Sequence, residues 1–375
     1  DDALDLVNRV LNSARGGGLT SGFLLLKSVI HKEKGDIPAA ISSLEEYLPL
    51  RPDDSRARMD LIKHYFRLNN FPRVIFGIEK GLQEAPFSNP ASAYFLLVRY
   101  MYGLSFISDQ QYDRSTEILS ELSLSLVQDA DLLVIYPYIL YYRGWSNYRM
   151  GNYPEAQEDF AALLDGVPDH ELQQRAAYLA GWCAYVQGRF SQAATYLLKM
   201  GADGDEVLRI KKDFMYAKTL LQQKKTEEAA ILFERIYLTW SDSELADDAL
   251  YEYAGVLSVL DNLEESVLSY QKVADEYPSS LLAEDSMYRR GELLYAAGEY
   301  EKARDAFYQY RLRFPAAGLY DAALYWGGLA SAEIGEAFGA VLLWEKLIEK
   351  FAGSAFRADS LLRTAEVYEE SGDFR

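Results

Sequence analysis

The side chains that most often carry chemistry are sparse in this chain, with three His and one Cys among 375 residues. His31 and His64 fall at related places in two successive segments and could face one groove. Two imidazoles without a third donor do not make a metal site, so no metal ligand is assigned. His170 follows Pro168-Asp169 and reads as a loop residue. Cys183, between Trp182 and Ala184 on a helical stretch, reads as a buried, inert thiol, and a single Cys permits no intrachain disulfide. Gly16-Gly17-Gly18 has the spacing of neither phosphate-cradling motif and no strand before it, so it reads as a turn or helix terminator. Gly18-Leu19-Thr20-Ser21-Gly22 places Thr where a nucleophile elbow needs Ser. No catalytic residue and no cofactor follow, and the chain is expected not to be an enzyme.

The chemistry the sequence does offer is that of binding. Tyr141, Trp145 and Tyr148 lie at i, i+4, i+7, and Tyr178, Trp182 and Tyr185 repeat the pattern. On a helix such a triplet shares one face, so two neighbouring helices would present an aromatic wall. Tyr and Trp give large contact area at low entropic cost and keep a polar handle, which suits a surface that receives a polypeptide. Acidic residues from Asp242 to Glu265, continued by Asp285 and Glu292, offer a second surface. They suit a solvated helix face, with a docking surface for a basic partner as the alternative.

The elements that must position these residues come from a repeat. Gly151 to Ala156, Gly188 to Ala193 and Gly298 to Ala303 share the pattern Gly, any, aromatic, two of any, Ala. The same register places modest side chains at Ala40, Val74, Ser115, Ala156, Ala193, Ala229, Ser266, Ala303 and Ala340, spaced by 34, 41, 41, 37, 36, 37, 37 and 37 residues. Four residues on stands a large apolar residue: Leu44, Ile78, Leu119, Phe160, Leu197, Phe233, Tyr270, Phe307 and Trp344. That offset is one helix face, and Pro eight residues later in several units ends the helix. Twelve residues before the first column, small residues recur at Ser28, Gly144, Gly181, Ala217, Ala254, Gly291, Gly328 and Ala365, where a second helix must approach closely. The chain is therefore predicted to be all-α, about nine and a half helix-turn-helix units, with no period-two strand pattern.

Composition agrees with a folded binding protein. With 38 basic against 57 acidic residues the net charge is -19, which disfavours binding to nucleic acid. The first hundred residues are nearly balanced (13 basic, 12 acidic), whereas residues 201–300 carry 10 against 21. The longest stretch without strongly polar residues, Leu132 to Tyr142, is about half of what a membrane-spanning helix needs. The chain opens Asp1-Asp2 without Met or an apolar leader, and stops in a turn at Ser371-Gly372-Asp373-Phe374-Arg375. The expectation is an excised mature region, any signal or lipid anchor removed or never present, with further chain after Arg375. Residues 1–20 read as an N-terminal amphipathic helix and glycine-rich turn, 21–90 as units 1 and 2, and 91–375 as units 3 to 10, the last incomplete. Pro86-Phe87-Ser88-Asn89-Pro90 marks the candidate break, and the two 41-residue spacings leave room for a longer helix or connection.

Gly291, Leu294, Gly298-Glu299-Tyr300, Ala303, Phe307 and Pro315 resemble the tetratricopeptide repeat signature at its usual offsets, and the unit beginning near Pro137 does nearly as well. The resemblance covers roughly residues 21–375, and is weaker where Asn69, Gln110 and Lys224 occupy the turn Gly position. The 37-residue period and Tyr277-Pro278-Ser279-Ser280 leading to Ala283 look like the periplasmic branch of that family, including outer-membrane assembly and envelope-division coordinators. The resemblance implies a right-handed superhelix that binds a peptide, helix or folded partner in a concave groove within a bacterial envelope assembly. It also implies a periplasmic or envelope-associated location, with the cytoplasm as alternative. A structural subunit of a secretion apparatus or flagellar motor, using its convex face and ends, is the other reading. In the family, ligand contacts lie mostly at positions 2, 5, 9 and 12 of each unit. Position 5 here is aromatic in six successive units, Tyr141, Tyr178, Phe214, Tyr251, Tyr288 and Tyr325, a column open to two readings, groove or packing between repeats. Trp145, Tyr148, Trp182 and Tyr185 extend it at positions 9 and 12, with Arg143 and Arg175 as charge at its edge.

Overall fold

The computed structural model describes residues 2–13, 17–84, 92–167, 170–201, 205–316 and 318–371. Among them there are helices and turns and no strand. The chain divides into two compact units, Asp1–Arg189 and Phe190–Arg375. The first holds α1 (Asp2–Ser13), α2 (Gly17–Glu33), α3 (Ile37–Tyr47), α4 (Ser55–Arg67), α5 (Phe71–Glu84), α6 (Ala93–Ser108), α7 (Tyr112–Ser120), α8 (Leu124–Asp129), a 3-10 turn (Leu133–Ile135), α9 (Tyr136–Met150), α10 (Tyr153–Gly166) and α11 (Gln173–Val186). The second holds α12 (Phe190–Leu198), α13 (Glu206–Gln222), α14 (Thr226–Thr239), α15 (Ala246–Val259), α16 (Leu263–Glu276), α17 (Leu282–Ala296), α18 (Tyr300–Arg313), α19 (Tyr320–Glu333), α20 (Ala337–Lys350) and α21 (Arg357–Ser371).

The repeat register accounts for the core. All nine small residues of the second helices, from Ala40 to Ala340, are fully buried, and the large residues four positions on are at most 5 % exposed. In several repeats the large side chain fills the notch left by a small residue of the first helix, whereas the second repeat reverses the pair, with Gly77 of its second helix against Ile62 of its first. A Cβ added at Gly144 would stand 3.0 Å from the Phe160 ring, and one at Gly291 would stand 2.7 Å from that of Phe307. Gly103 occupies the same notch against Leu119, a position the sequence pattern did not single out.

The turns inside the repeats share one backbone solution. Gly35, Asn69, Gln110, Gly151, Gly188, Lys224, Asp261, Gly298 and Gly335 all have φ between 54 and 81°. The next amide donates back five residues, as in Asn152 to Asn147 (2.9 Å), Gln111 to Phe106 (2.9 Å) and Lys225 to Leu220 (2.9 Å). This Schellman closure satisfies the orphaned carbonyls of the helix end, so the left-handed residue is required whatever its type. The weak turn positions therefore fold as the glycine ones do, and Asp261 joins them.

The glycine triplet differs from expectation. α2 begins at Gly17, so Gly17 and Gly18 lie in a helix, while Gly16 falls outside the described residues. The candidate break at Pro86–Pro90 also lies outside the described residues. The second 41-residue spacing is filled by α8 and the 3-10 turn, with Asp131 in the left-handed region at φ 59°. α1 packs on α2 through Val7, 3 % exposed, with Leu11 against the first core.

Two stability changes follow. Lys224→Gly and Gln110→Gly should each raise the unfolding free energy by about 1 kcal/mol, because a left-handed non-glycine residue costs roughly 1–2 kcal/mol and glycine's extra unfolded-state freedom offsets part of the gain. Gly291→Ala should lower the melting temperature, although Ala is favoured over Gly in helices by about 1 kcal/mol, because the Phe307 ring must move. Urea melts of the three variants check both signs.

Candidate partner-binding site

The position 5 aromatics pack inward. Tyr141 meets Phe160 (centroids 5.9 Å), Phe214 meets Phe233 (5.5 Å), Tyr251 meets Tyr270 (5.4 Å) and Tyr288 meets Phe307 (5.8 Å), each joining the two helices of one repeat. Tyr325 stacks on Phe356 at 4.7 Å. Their hydroxyls reach position 2 of the next repeat: Tyr251 donates to Asp285 and Tyr325 to Asp359, both at 2.5 Å, and the Tyr141 hydroxyl meets Arg175. Tyr288 is only 7 % exposed and offers no face to a ligand. This column is the inter-helix packing layer. Burial also pushes the Tyr178 hydroxyl up to about 12.

Positions 9 and 12 in the first compact unit are different. Trp145 and Tyr148 on α9 lie with ring centroids 5.5 Å apart and planes 30° apart, and Tyr148 also meets Tyr153 at 6.1 Å. The Tyr148 hydroxyl sits close enough to Cys183 and Tyr178 of α11 to couple electrostatically with both, so the two helices do bring their aromatics together. Trp182 and Tyr185 on α11 are partly exposed, as are Trp145 and Tyr148. Tyr185 is engaged within the fold, whereas Trp182 makes no hydrogen bond or ring contact among the described residues. The charge at the wall is not where the sequence placed it. Arg143 is held by Asp159 through bonds of 2.5, 3.0 and 3.1 Å, and Arg175 meets Tyr141. Arg149 supplies the charge instead, its guanidinium 5.7 Å from the Trp145 ring and 4.9 Å from that of Tyr112. Arg149 is the fourth residue after Trp145, so helical spacing was the signal that could have found it.

The remaining chemistry-bearing groups are accounted for locally. Burial leaves Cys183 fully covered and pushes its thiol up to about 12, which makes it unreactive. His64 is 3 % exposed and burial lowers its pKa, while His31 lies 3.6 Å from Asp36. No group of three His, Cys, Asp or Glu suited to a metal occurs among the described residues. Among the same residues no helix is long and apolar enough to cross a membrane. Much of the acidic run is paired: Glu252 with Lys218 (2.6 Å), Glu265 with Tyr253 (2.9 Å) and Glu292 with Arg289 (3.0 Å). Asp248, at the start of α15, has its pKa raised by burial and by neighbouring Asp247 and Glu252.

Family models for the tetratricopeptide repeat match residues 141–206 and 285–317. These two segments are tetratricopeptide repeats. The apo form of RapI matches this helical array at 12 % identity and a TM-score of 0.50, over 85 % of this chain and 93 % of that one. The C-terminal part of a TPR repeat-containing protein from Cytophaga hutchinsonii matches at 13 % identity and a TM-score of 0.45, over 80 % of this chain and 98 % of that one. A crystal structure of MamA matches at 17 % identity and a TM-score of 0.38, over 54 % and 96 %. No curated protein matches the chain significantly by sequence. Identities this low speak to the fold alone.

The buried tyrosines set a pH dependence. Unfolded tyrosine titrates near 10.0, whereas burial holds Tyr178 up to about 12, and burial with the Asp285 bond does the same for Tyr251. A raised folded pKa means that the unfolded chain loses its proton first, so the stabilisation is complete below pH 10 and is lost as pH rises towards about 12. Urea midpoints should fall across that window, and less steeply in the Tyr178→Phe, Tyr251→Phe double variant.

Proposed function

We propose that this chain is a non-enzymatic protein–protein interaction scaffold that holds a peptide, helix or folded partner against the aromatic wall of α9 and α11. The observation that carries the reading is Trp182, a partly exposed indole without a hydrogen-bond or ring partner among the described residues, beside Tyr185 and on the helix next to Trp145 and Tyr148. An indole with an apolar body and an unused donor contributes strongly when a partner covers it. Arg149, stacked against Trp145, adds a cation that a partner's carboxylate or carbonyl can meet. Placement in a bacterial envelope assembly, periplasmic or envelope-associated, is part of the proposal, supported by the 37-residue period and the Tyr277–Ala283 segment.

A structural role is the second reading, favoured by the second helices of the second compact unit. Ile231, Leu238, Leu268, Leu312, Phe338 and Leu342 are between 51 and 67 % exposed there. Apolar side chains on successive helices suit a strut that docks by its outer side.

The two readings separate in one experiment. Pull-downs from the source organism use the intact chain, a Trp145→Ala, Trp182→Ala variant and a Phe338→Ser, Leu342→Ser variant, each shown to melt cooperatively. Loss of a specific partner in the tryptophan variant alone is the expected result. Retention there with loss in the Phe338, Leu342 variant would overturn the wall as the site and support the strut.

A further inference from the structure

Arg143 and Arg290 stand at the same place in their repeats, 13 residues before the small residues Ala156 and Ala303. Three residues after those small residues come Asp159 and Ala306 respectively. In the first case the guanidinium is held by the carboxylate at 2.5 Å. In the second the carboxylate is absent, Ala306 being fully buried at its position. Arg290 has no hydrogen bond or ion pair among the described residues, and its Nε is shut off from water without a partner.

The surroundings do not supply the missing anion. Asp275 and Asp305 are near enough to act on Arg290 electrostatically. Asp275 is already bonded by Arg313 (2.7 Å) and Gln271 (2.8 Å), and Asp305 by Arg304 (2.8 Å). Arg290 lies at the wall of a cleft of about 470 Å³ between α16 and α18, beside Gln309 and Leu312. Leu312 is 59 % exposed. Asp275, which also lines the cleft, and Asp305 offset part of the cost of half-burying this cation, but the Nε–H is bonded only when an acceptor enters the cleft.

We propose that Arg290 anchors a second docking site, in which its guanidinium pairs with an Asp or Glu side chain of a partner segment laid between α16 and α18. Gln309 offers an amide beside the pair, and Leu312 offers apolar contact to a neighbouring side chain of the same segment. A carboxylate presented beside an apolar residue fits both. The net charge of -19 repels an acidic segment at long range, but salt screens that repulsion beyond about 8 Å and acts far less on a pair inside the cleft. The site uses none of the aromatic wall, so it stands or falls separately from it.

The test is fluorescence anisotropy with a labelled synthetic peptide of alternating Leu and Glu, with the Leu and Gln peptide as control. The Glu peptide should bind the intact chain more tightly than the Gln peptide. Arg290→Gln should weaken the Glu peptide about tenfold or more, the worth of one charge-assisted pair, and leave the Gln peptide unchanged. Ala306→Asp, which supplies the counter-ion that Arg143 has, should weaken the Glu peptide likewise. Should Ala306→Asp fail to melt cooperatively, Arg290→Gln decides alone. Equal binding of the two peptides, or unchanged binding by the Arg290→Gln variant, overturns the proposal. Displacement of the Glu peptide by millimolar inorganic phosphate also overturns it, since the site would then be one for small anions.

Discussion

One contact governs this array, the insertion of a large side chain from one helix of a repeat into a notch made by a small residue on the other. Close approach of two helix backbones is possible only where Cβ is small or missing, and the interface is tight only if something fills the groove beside it. Phe160 over Gly144 and Phe307 over Gly291 meet both conditions. The rest follows from that geometry. The helix lengths, the left-handed residue that reverses the chain and the recurring period serve to bring the next notch into place. An array built this way adds stability repeat by repeat, because each unit buries its apolar face chiefly against its neighbours.

The high content of tyrosine and of acid, 29 Tyr and 57 Asp plus Glu, is a second consequence. Once the notch is filled by an apolar residue, the next layer is aromatic, and its hydroxyls must find acceptors where the repeats meet. Tyr47 to Asp54, Tyr102 to Glu79, Tyr237 to Glu276, Tyr251 to Asp285, Tyr310 to Glu284 and Tyr325 to Asp359 are such bonds, between 2.5 and 3.0 Å. A phenol donates to a carboxylate without cancelling its charge. The chain can therefore satisfy many carboxylates internally and still remain strongly acidic, which separates net charge from the number of unengaged acids. The acidic run between Asp242 and Glu292 illustrates this, since Glu252, Glu265, Asp285 and Glu292 all have partners in the fold.

The fold was legible in the sequence because its governing contact is made by residue types at fixed offsets. The columns beginning at Ala40 and Leu44 are the buried columns of the structure. Gly103 and Asp261 escaped because their repeats lack other parts of the pattern: Gln110 and Ser115 disguise the third, and Asp stands where the turn glycine is expected in the seventh. The 41-residue spacing left room for an insertion, but not the form it takes as the short helix α8, since an insertion between repeats obeys no period. For the site, the aromatic triplets were visible, but their division of labour was not. Position 5 and positions 9 and 12 carry the same residue types, and only the hydroxyl partners in the next repeat show that the first column is packing. Those partners lie 34 residues away in sequence, at an offset set by how repeats stack.

A repeat protein also carries its own controls, because equivalent positions share nearly the same surroundings. An arginine at one position means different things in different repeats, according to what stands three residues beyond the buried small residue of the second helix. With Asp159 there, Arg143 is part of the packing between two helices. With Ala306 there, the same placement leaves the Arg290 guanidinium half-buried with no bonded acceptor among the described residues. Neither residue is informative alone, since a single arginine on a helix is ordinary. The pair of repeats is informative, because the fold has already shown what that position needs, and the need is met in one repeat and left open in the other. The aromatic wall follows the same logic. Tyr148 in the fourth repeat and Tyr185 in the fifth are engaged by the protein itself, while Trp182 is left without a partner among the described residues. Departures of this kind from a common frame are where a stacked array can acquire specificity, since a change in one repeat alters one patch of surface and leaves the notches that hold the array together untouched.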